Sequence, residues 1–221
     1  MKIGIVGAGN IGAALAQALQ PTDHEVRIAN SRGPDTLSEL AERTGATPVE
    51  VGDAAKGADV VVVTIPMKAV ADLPDDLLAG AASDVAVLDT NNYYPGRDGK
   101  LSEIEDGTTE SRWVSEQLDH EVVKAFNGIY AADIIGTAKV ADAPDRRALP
   151  VAGDDVEAKR RVMELVDELG FDPVDAGSID ESWRQQPGSP HYTFELNESG
   201  LRDALDQAGP ERAPEWSADG A

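Results

Sequence analysis

Residues 1–12 read MKIGIVGAGNIG, and this stretch decides the fold. The apolar run before Gly7 predicts a buried β-strand, and the alanines and leucines that follow Ile11 predict a helix. Gly7, Gly9 and Gly12 stand between the two in a G-x-G-x-x-G spacing, which lets the chain turn sharply, bring backbone amides against a pyrophosphate and pack helix on strand. We therefore predict a dinucleotide-binding turn, in which Asn10 could add phosphate contacts. The alternative is an ordinary strand-to-helix turn that holds three glycines.

Apolar, strand-like runs alternate with helical patterns through the first 140 residues. A helix is expected after each of the first two strands, ending near Pro21 and Gly45. Four consecutive valines indicate a strand buried on both faces. The fold class is therefore α/β, with a doubly wound parallel sheet of the Rossmann type. The predicted strands span residues 2–6, 25–29, 58–66, 84–92 and 121–126.

The pattern changes beyond residue 140, where a strand, an amphipathic helix and a final short strand follow one another. We predict a Rossmann domain over residues 1–140, a smaller C-terminal α/β domain over 141–205 that closes an acceptor cleft, and a flexible tail over 206–221 that is rich in Gly, Pro, Ala and acid. The core-facing side of the helix is predicted to consist of Val156, Val162, Met163, Leu165, Val166 and Leu169.

Residues 28–34 read IANSRGP and bear on the choice of dinucleotide. A carboxylate at the end of the second strand normally accepts the ribose hydroxyls of NAD. Here that strand ends at Ala29, and Asn30, Ser31 and Arg32 follow it. A hydroxyl and a guanidinium suit a 2′-phosphate, so Ser31 and Arg32 favour NADP over NAD. The alternative is a surface arginine that follows a strand without binding a ligand.

Composition excludes several classes of function. The formal net charge is −22, with 41 Asp and Glu against 19 Lys and Arg, which opposes binding to a nucleic acid backbone. Cysteine is absent and the three histidines are scattered, so we expect no metal site. No apolar run has the length of a membrane span, and we expect a soluble, cytoplasmic protein that binds no membrane.

The acidic residues are spread along the whole chain, which is typical of a protein adapted to high salt. Such a chain repels itself at low ionic strength, whereas at roughly 1 M salt the Debye length falls to about 3 Å and the repulsion is screened. We therefore expect a halophilic protein; ordinary acidity is the alternative.

Six motifs occur in an order that resembles a known family: IGIVGAGNIG, the SR pair, VVVVTIP, VVKAFN, VAGDDVEAKRRV and LGFDPVDAG. Over roughly residues 2–190 the chain resembles the NADP oxidoreductases that depend on the deazaflavin coenzyme F-420, to which the cytosolic reductase domains of the STEAP proteins are related. The resemblance implies a cleft between a Rossmann domain and a smaller C-terminal domain, with NADPH facing the second cofactor, and it makes a homodimer plausible.

By position, the resemblance implies cofactor contacts on several loops. Gly7, Ala8, Gly9, Asn10, Ile11 and Gly12 form the pyrophosphate turn, and Ser31 with Arg32 would hold the 2′-phosphate. Thr64, Ile65 and Pro66 would form a wall of the site. Asn91 and Asn92, together with Asn127 and Gly128, would lie near the nicotinamide; the alternative for these asparagines is a turn-forming role in loops.

The segment at 183–192 supports two interpretations. Trp183, Arg184, Gln185, Gln186 and Tyr192 could line an acceptor pocket with aromatic surface and amide donors, or they could seal the second domain onto the first. The family's best-known members carry a histidine near the deazaflavin where this chain has Asn127.

The predicted function is hydride transfer between NADPH and F-420 or a related flavin acceptor. Such a transfer depends on positioning and on exclusion of water, so no acid or base catalytic residue is expected. One alternative is NADPH-dependent reduction of a small carbonyl, an imine or a ferric complex. The other is a non-catalytic module that binds NADPH.

Overall fold

The computed structural model describes residues 1–141, 143–218 and 220. Eight strands and nine α-helices alternate along this part of the chain. The strands are β1 (Lys2–Val6), β2 (Glu25–Ala29), β3 (Thr47–Pro48), β4 (Val60–Val63), β5 (Ala86–Asp89), β6 (Val122–Lys124), β7 (Ala148–Val151) and β8 (Asp172–Asp175). The helices are α1 (Asn10–Leu19), α2 (Ser38–Thr44), α3 (Val51–Ala54), α4 (Pro95–Asp98), α5 (Ser102–Glu105), α6 (Glu110–Leu118), α7 (Ala131–Gly136), α8 (Val156–Glu168) and α9 (Glu198–Gln207).

Short 3-10 helices complete the regular structure, at Pro34–Leu37, Met67–Asp72, Ile179–Gln185 and Pro214–Trp216. None of the helices in the described ranges is long and apolar enough to cross a bilayer.

The first six strands form one parallel sheet in the order β3-β2-β1-β4-β5-β6. This is the doubly wound arrangement of a Rossmann fold, so the predicted fold class is confirmed. Strand β3 was not among the predicted strands, because two residues are too few to show a pattern. Strands β4, β5 and β6 are shorter than predicted; buried residues that follow β5 and β6, such as Asn91 and Phe126, belong to loops at the carboxyl edge of the sheet and not to the strands.

The sheet is buried on both faces. In β4, Val60 and Val62 pack into the core cluster on one face, while Val61 and Val63 pack into the cluster on the other. The first cluster takes up the apolar sides of α1, α7 and α8, and the second takes up those of α3 and α6. The unbroken run of valines therefore follows from burial on both faces.

The second sheet pairs β7 with β8 and is connected to the first. Lys124 in β6 and Ala152 after β7 form an antiparallel bridge, with N–H to O distances of 2.8 and 3.1 Å. Apolar residues of β7 and α8 also belong to the same core cluster as those of β1 and α1. The C-terminal unit thus shares its core with the Rossmann sheet; the predicted division at residue 140 stays a prediction.

One residue of the predicted core stripe of α8 lies outside it. Val162, Leu165, Val166 and Leu169 are buried and Met163 is partly buried, but Val156 is 71% exposed. At 3.6 residues per turn, Val156 lies about 120° around the helix from Val162, so its side chain points away from the sheet.

The sequence predicts a flexible tail from residue 206. In the structure, α9 extends to Gln207, and described residues beyond it contact the body of the protein through Arg212, Trp216 and Ser217. Residues 219 and 221 of the predicted tail lie outside the described residues.

Candidate active site

Two adjoining cavities follow the carboxyl ends of the parallel strands. A large cavity of about 700 Å³ lies beyond β1 and β2, and a small cavity of about 410 Å³ lies beyond β5 and β6. They share Gly9 and the segment 64–66, so they form one continuous cleft. All the predicted cofactor contacts line this cleft except Gly12 and Gly128.

The three glycines of the glycine-rich turn have three different roles. Gly7 has a φ of 118°, and a Cβ there would overlap the carbonyl oxygen of Thr64. A Cβ on Gly12 would overlap the carbonyl oxygen of Gly7, which explains why Gly12 packs α1 against β1 without lining the cleft. A Cβ on Gly9 would meet no atom within 4 Å, although Gly9 lines both cavities. Gly9 therefore leaves open the space that a phosphate group needs.

The start of α1 fits a dinucleotide pyrophosphate. Its N-cap, Gly9, provides no side-chain cap, and the first turn contains no acidic residue. The first backbone N–H groups of a helix have no partner within the helix and carry partial positive charge. Ala8, Asn10 and Ile11 also line the cleft beside these donors. The turn thus offers an anion both space and hydrogen bond donors.

Ser31 and Arg32 lie at the far end of the large cavity. The backbone N–H of Arg32 donates to Oδ1 of Asn30 at 2.9 Å, which fixes the turn after β2. Among the described residues, the guanidinium of Arg32 has no hydrogen bond or ion-pair partner. A hydroxyl and an unpaired guanidinium are therefore present where NAD-binding folds place a carboxylate, although Asp72 lies elsewhere on the same wall.

Asn91 joins the ends of two strands at the centre of the cleft. Its Oδ1 accepts a hydrogen bond from the backbone N–H of Ile65 at 2.9 Å, and its own N–H donates to Oδ1 of Asp89 at 2.9 Å. Its Nδ2 is buried without a partner among the described residues. Asn91 therefore fixes the wall formed by Thr64, Ile65 and Pro66 relative to β5.

Asn92 and Asn127 bond to each other across the small cavity. Nδ2 of Asn127 donates to Oδ1 of Asn92 at 3.0 Å and to the carbonyl oxygen of Gln185 at 2.6 Å. Nδ2 of Asn92 donates to the carbonyl oxygen of Asn127 at 2.8 Å and to the hydroxyl of Tyr192 at 3.4 Å. These amides bridge different loops, so their orientations are fixed before any ligand binds.

Two tyrosines that line the small cavity pack against a tryptophan. The hydroxyls of Tyr94 and Tyr192 share a hydrogen bond, and both residues line the cavity. Trp216 packs against both rings, with centroid distances of 5.9 Å to Tyr94 and 6.3 Å to Tyr192. Burial, followed by the hydrogen bond to Tyr94, raises the pKa of Tyr192. The Tyr192 hydroxyl therefore stays protonated near pH 7, and the hydroxyl pair keeps one proton to donate to a ligand.

Part of the segment 183–192 lines the small cavity, and the rest packs the C-terminal unit against the site. Tyr192 lines the small cavity, whereas Trp183, Arg184, Gln185 and Gln186 do not. Arg184 stacks on Trp183 at 5.1 Å, and Gln185 is buried with its carbonyl oxygen bonded to Asn127. The first part of the segment seals the C-terminal unit onto the site, and its end belongs to the cavity.

Two residues of the small cavity have left-handed backbone conformations. Phe126 has a φ of 58° and Thr193 a φ of 67°. Bulky and β-branched residues rarely adopt this region, and such outliers concentrate at binding and catalytic sites. The backbone N–H of Thr193 donates to the carbonyl oxygen of Gly128 at 3.1 Å, which brings the 190s segment against the loop after β6.

His191 lies beneath this contact. A Cβ on Gly128 would come within 2.8 Å of Nε2 of His191, so glycine is needed for the two loops to meet. His191 is 4% exposed, and burial lowers its pKa from 6.5 to about 4. The imidazole is therefore neutral near pH 7.

A cluster of buried charges supports the cleft from below, and sequence reasoning missed it. Nζ of Lys124 donates to the carbonyl oxygen of Asn91 and to Oε2 of Glu110, both at 3.3 Å. Asp89 accepts from the Ser111 hydroxyl at 2.6 Å, and burial raises the pKa of its carboxyl. The lysine inside the apolar run VVKAF could have indicated a buried charge. No local pattern indicated that Glu110 is its partner.

Comparisons with known proteins agree with this geometry. Residues 2–93 match the family model described as NADP oxidoreductase, coenzyme F-420-dependent. The hypothetical protein SMa0349 from Sinorhizobium meliloti is 34% identical in a structural match that covers 90% of this chain and 96% of that one, with a TM-score of 0.76. A provisionally named F-420-dependent NADP reductase from Arthrobacter sp. FB24 is 24% identical, with coverage of 82% and 87% and a TM-score of 0.67. The latter likeness shows a shared fold.

A curated relative matches over a short stretch. YjhV of Escherichia coli (strain K12) is 57% identical over 47 residues, which make up 21% of this chain and 34% of that protein. The match thus spans about a third of YjhV.

The structure defines a Rossmann fold with a glycine-rich cleft, and the family that its first 93 residues match is one of NADP oxidoreductases. Residues 2–93 carry the domain of the family described as coenzyme F-420-dependent NADP oxidoreductases, and the chain is related to SMa0349 over most of its length.

Proposed function

We propose that the protein transfers a hydride between NADPH and F-420 or a related flavin, with the acceptor in the small cavity. The continuity of the cleft supports this proposal most directly. The large cavity has room for the adenosine end of a dinucleotide, and the shared turn at Gly9 leads into a second cavity lined by aromatic rings, amides and hydroxyls. Such a surface suits a planar, polar ring system.

In this proposal each group of residues has one task. The turn at Gly9 binds the pyrophosphate, and Ser31 with Arg32 binds the 2′-phosphate. Asn91 and Asn127 orient the end of the dinucleotide that supplies the hydride. Their amides are already fixed by hydrogen bonds to other loops, so little ordering is needed when the ligand binds.

The aromatic side of the small cavity excludes water. Tyr94 and Tyr192 line it with Trp216 packed against both rings, and the hydroxyl pair can donate a hydrogen bond to an acceptor. Rate enhancement then comes from positioning and desolvation, so we assign no acid or base catalytic residue.

A second candidate function is NADPH-dependent reduction of a small carbonyl or imine. The paired hydroxyls of Tyr94 and Tyr192 favour it, because a carbonyl oxygen gains negative charge during reduction and is stabilised by such donors.

The test is an acceptor panel followed by NADPH absorbance in KCl solutions. F-420, FMN, a ferric chelate, carbonyls and imines are offered in turn, and Gly9→Val serves as a binding-deficient control. Reduction of F-420 or FMN that Gly9→Val abolishes supports the proposal. Reduction of carbonyls or imines alone supports the second candidate. Tight NADPH binding without turnover on any acceptor contradicts both and favours a binding module.

We also propose that the protein is adapted to high salt, because its net charge is −22 over 221 residues. Thermal melting measured against KCl tests this. A melting temperature that rises with KCl supports the proposal, whereas a constant one indicates ordinary acidity. The homodimer implied by the family resemblance stays a prediction, and light scattering in the same solutions tests it.

A further inference from the structure

Arg97 places a guanidinium at the edge of the small cavity. Its side chain is 42% exposed and its carbon Cζ lies 4.8 Å from the ring centroid of Tyr94. Its Nε donates to Oδ1 of Asp98 at 3.0 Å, and its Nη2 donates to Oδ2 of Asp98 at 2.8 Å and to the carbonyl oxygen of Asn92 at 2.7 Å. The guanidinium is therefore held in one orientation.

Asp98 is itself held in place. Its side chain is 0% exposed, and it accepts hydrogen bonds from the backbone N–H groups of Tyr94 at 3.0 Å and Lys68 at 3.5 Å. With two backbone donors and the arginine, this carboxylate is satisfied inside the loop. It fixes Arg97 from one side and leaves Nη1 without a partner among the described residues.

The small cavity differs in charge from the rest of the protein. Asp and Glu account for 41 of the 221 residues, yet among the described residues none of those that line this cavity is acidic. Among the described residues of that lining, Arg97 alone carries a charged side chain. In a protein of net charge −22, a lining without carboxylates repels an anion less than the acidic surface around it does.

We propose that Arg97 binds an anionic group of the acceptor, a phosphate or a carboxylate, through its unpaired Nη1 edge. The inference rests on the proposed function, which places the acceptor in the small cavity. A guanidinium that is already oriented loses little side-chain freedom on binding, and its hydrogen bonds to an anion are charge-assisted. Arg97 thus selects acceptors by charge, while the amides and aromatic rings contact the planar part.

The experiment compares two flavins that share a ring system but differ in charge. FMN carries a phosphate and riboflavin does not. Binding of each to the protein with NADP is measured by flavin fluorescence, and turnover by NADPH absorbance, for the wild type, Arg97→Gln and Arg160→Gln. Arg160 lies on the exposed side of α8 and controls for the loss of one positive charge. A 2-oxo acid and its ester form a second pair for carboxylates.

In Arg97→Gln, we expect Kd and KM for FMN to rise about 10- to 100-fold, while kcat, riboflavin binding and NADPH binding change little. Arg160→Gln should behave as the wild type. Equal effects on FMN and riboflavin, or a loss of NADPH affinity instead, would overturn the assignment of Arg97.

The same data separate this inference from the proposed function. If flavins are reduced without regard to their charge, the proposed function stands and the role of Arg97 is wrong. If neither the flavins nor F-420 of the acceptor panel is reduced but FMN or the 2-oxo acid binds through Arg97, the role of Arg97 stands and the proposed function is wrong. If neither anionic probe binds better than its neutral counterpart, the role of Arg97 is contradicted.

Discussion

The guanidinium of Arg212 donates a 2.8 Å hydrogen bond to the carboxylate of Glu110, whose side chain is 1% exposed. The other oxygen of Glu110 accepts from Lys124, and Lys124 also donates to the carbonyl oxygen of Asn91 in the cleft. Arg212 follows α9, so a residue 102 positions along the chain from Glu110 neutralises a charge that lies beneath the cleft.

Replacing Arg212 should therefore reduce stability strongly. Arg212→Met removes one partner of a buried pair and leaves Glu110 incompletely neutralised, which should lower the free energy of unfolding by roughly 3 to 5 kcal/mol. Arg202→Met is the matched control, because Arg202 pairs with Glu198 on an exposed helix surface and should change stability by about 0.5 kcal/mol or less. Urea denaturation measures both; equal losses would contradict the prediction.

Two glycine variants should separate folding from cofactor binding. In Gly12→Ala the new Cβ overlaps the backbone of Gly7, so stability should fall by about 2 kcal/mol or more. In Gly9→Ala the Cβ enters open space, so stability should change by less than about 1 kcal/mol. The affinity of Gly9→Ala for NADPH should nevertheless fall roughly tenfold or more, because the methyl group occupies the phosphate space. Denaturation and calorimetric titration provide the measurements, and normal NADPH binding by Gly9→Ala would count against the site.

Arg32 should determine the preference for NADPH over NADH. Arg32→Ala removes an unpaired guanidinium from the large cavity and should weaken NADPH binding by roughly 1.5 to 3 kcal/mol, with little effect on NADH. Arg43→Ala removes an exposed arginine of α2 and serves as the control. Titration with both dinucleotides tests this, and equal losses for NADPH and NADH would refute the 2′-phosphate contact.

His191 should make stability depend on pH below neutrality. Its pKa is about 4 in the folded protein and 6.5 as the reference for the unfolded chain, so the unfolded state binds a proton first as pH falls. Its contribution is fully present above pH 6.5 and is lost as pH falls through 4, amounting to roughly 3 kcal/mol. Relative to His191→Asn, the wild type should lose this amount between pH 7 and pH 4 in urea denaturation. Parallel pH profiles would show that His191 does not titrate as described.

The sequence predicts those parts of the structure that depend on local patterns. Runs of apolar residues located five strands of the Rossmann sheet, and the glycine spacing located the turn before α1. The carboxyl ends of parallel strands meet at one edge, so residues from distant loops, such as Arg32 and Asn127, could be assigned to one cleft.

What the sequence could not predict depends on distant partners. Glu110 pairs with Arg212 across 102 residues, and Asp98 fixes an arginine only because the surrounding loop folds around it. Val156 was assigned to the core because it is apolar, but its position on α8 turns its side chain away from the sheet. The short helix α4 lies within a stretch of turn-forming residues, where composition predicts a loop.

Lys124 takes part in two structures at once. Its backbone forms the bridge that joins the two sheets, and its side chain bonds to Asn91 in the cleft. Transfer of β7 and α8 alone would therefore not rebuild the small cavity on another Rossmann scaffold. A chimera would need Lys124, Glu110 and Arg212 together. The bridge between the two sheets and the support beneath the cleft both depend on Lys124.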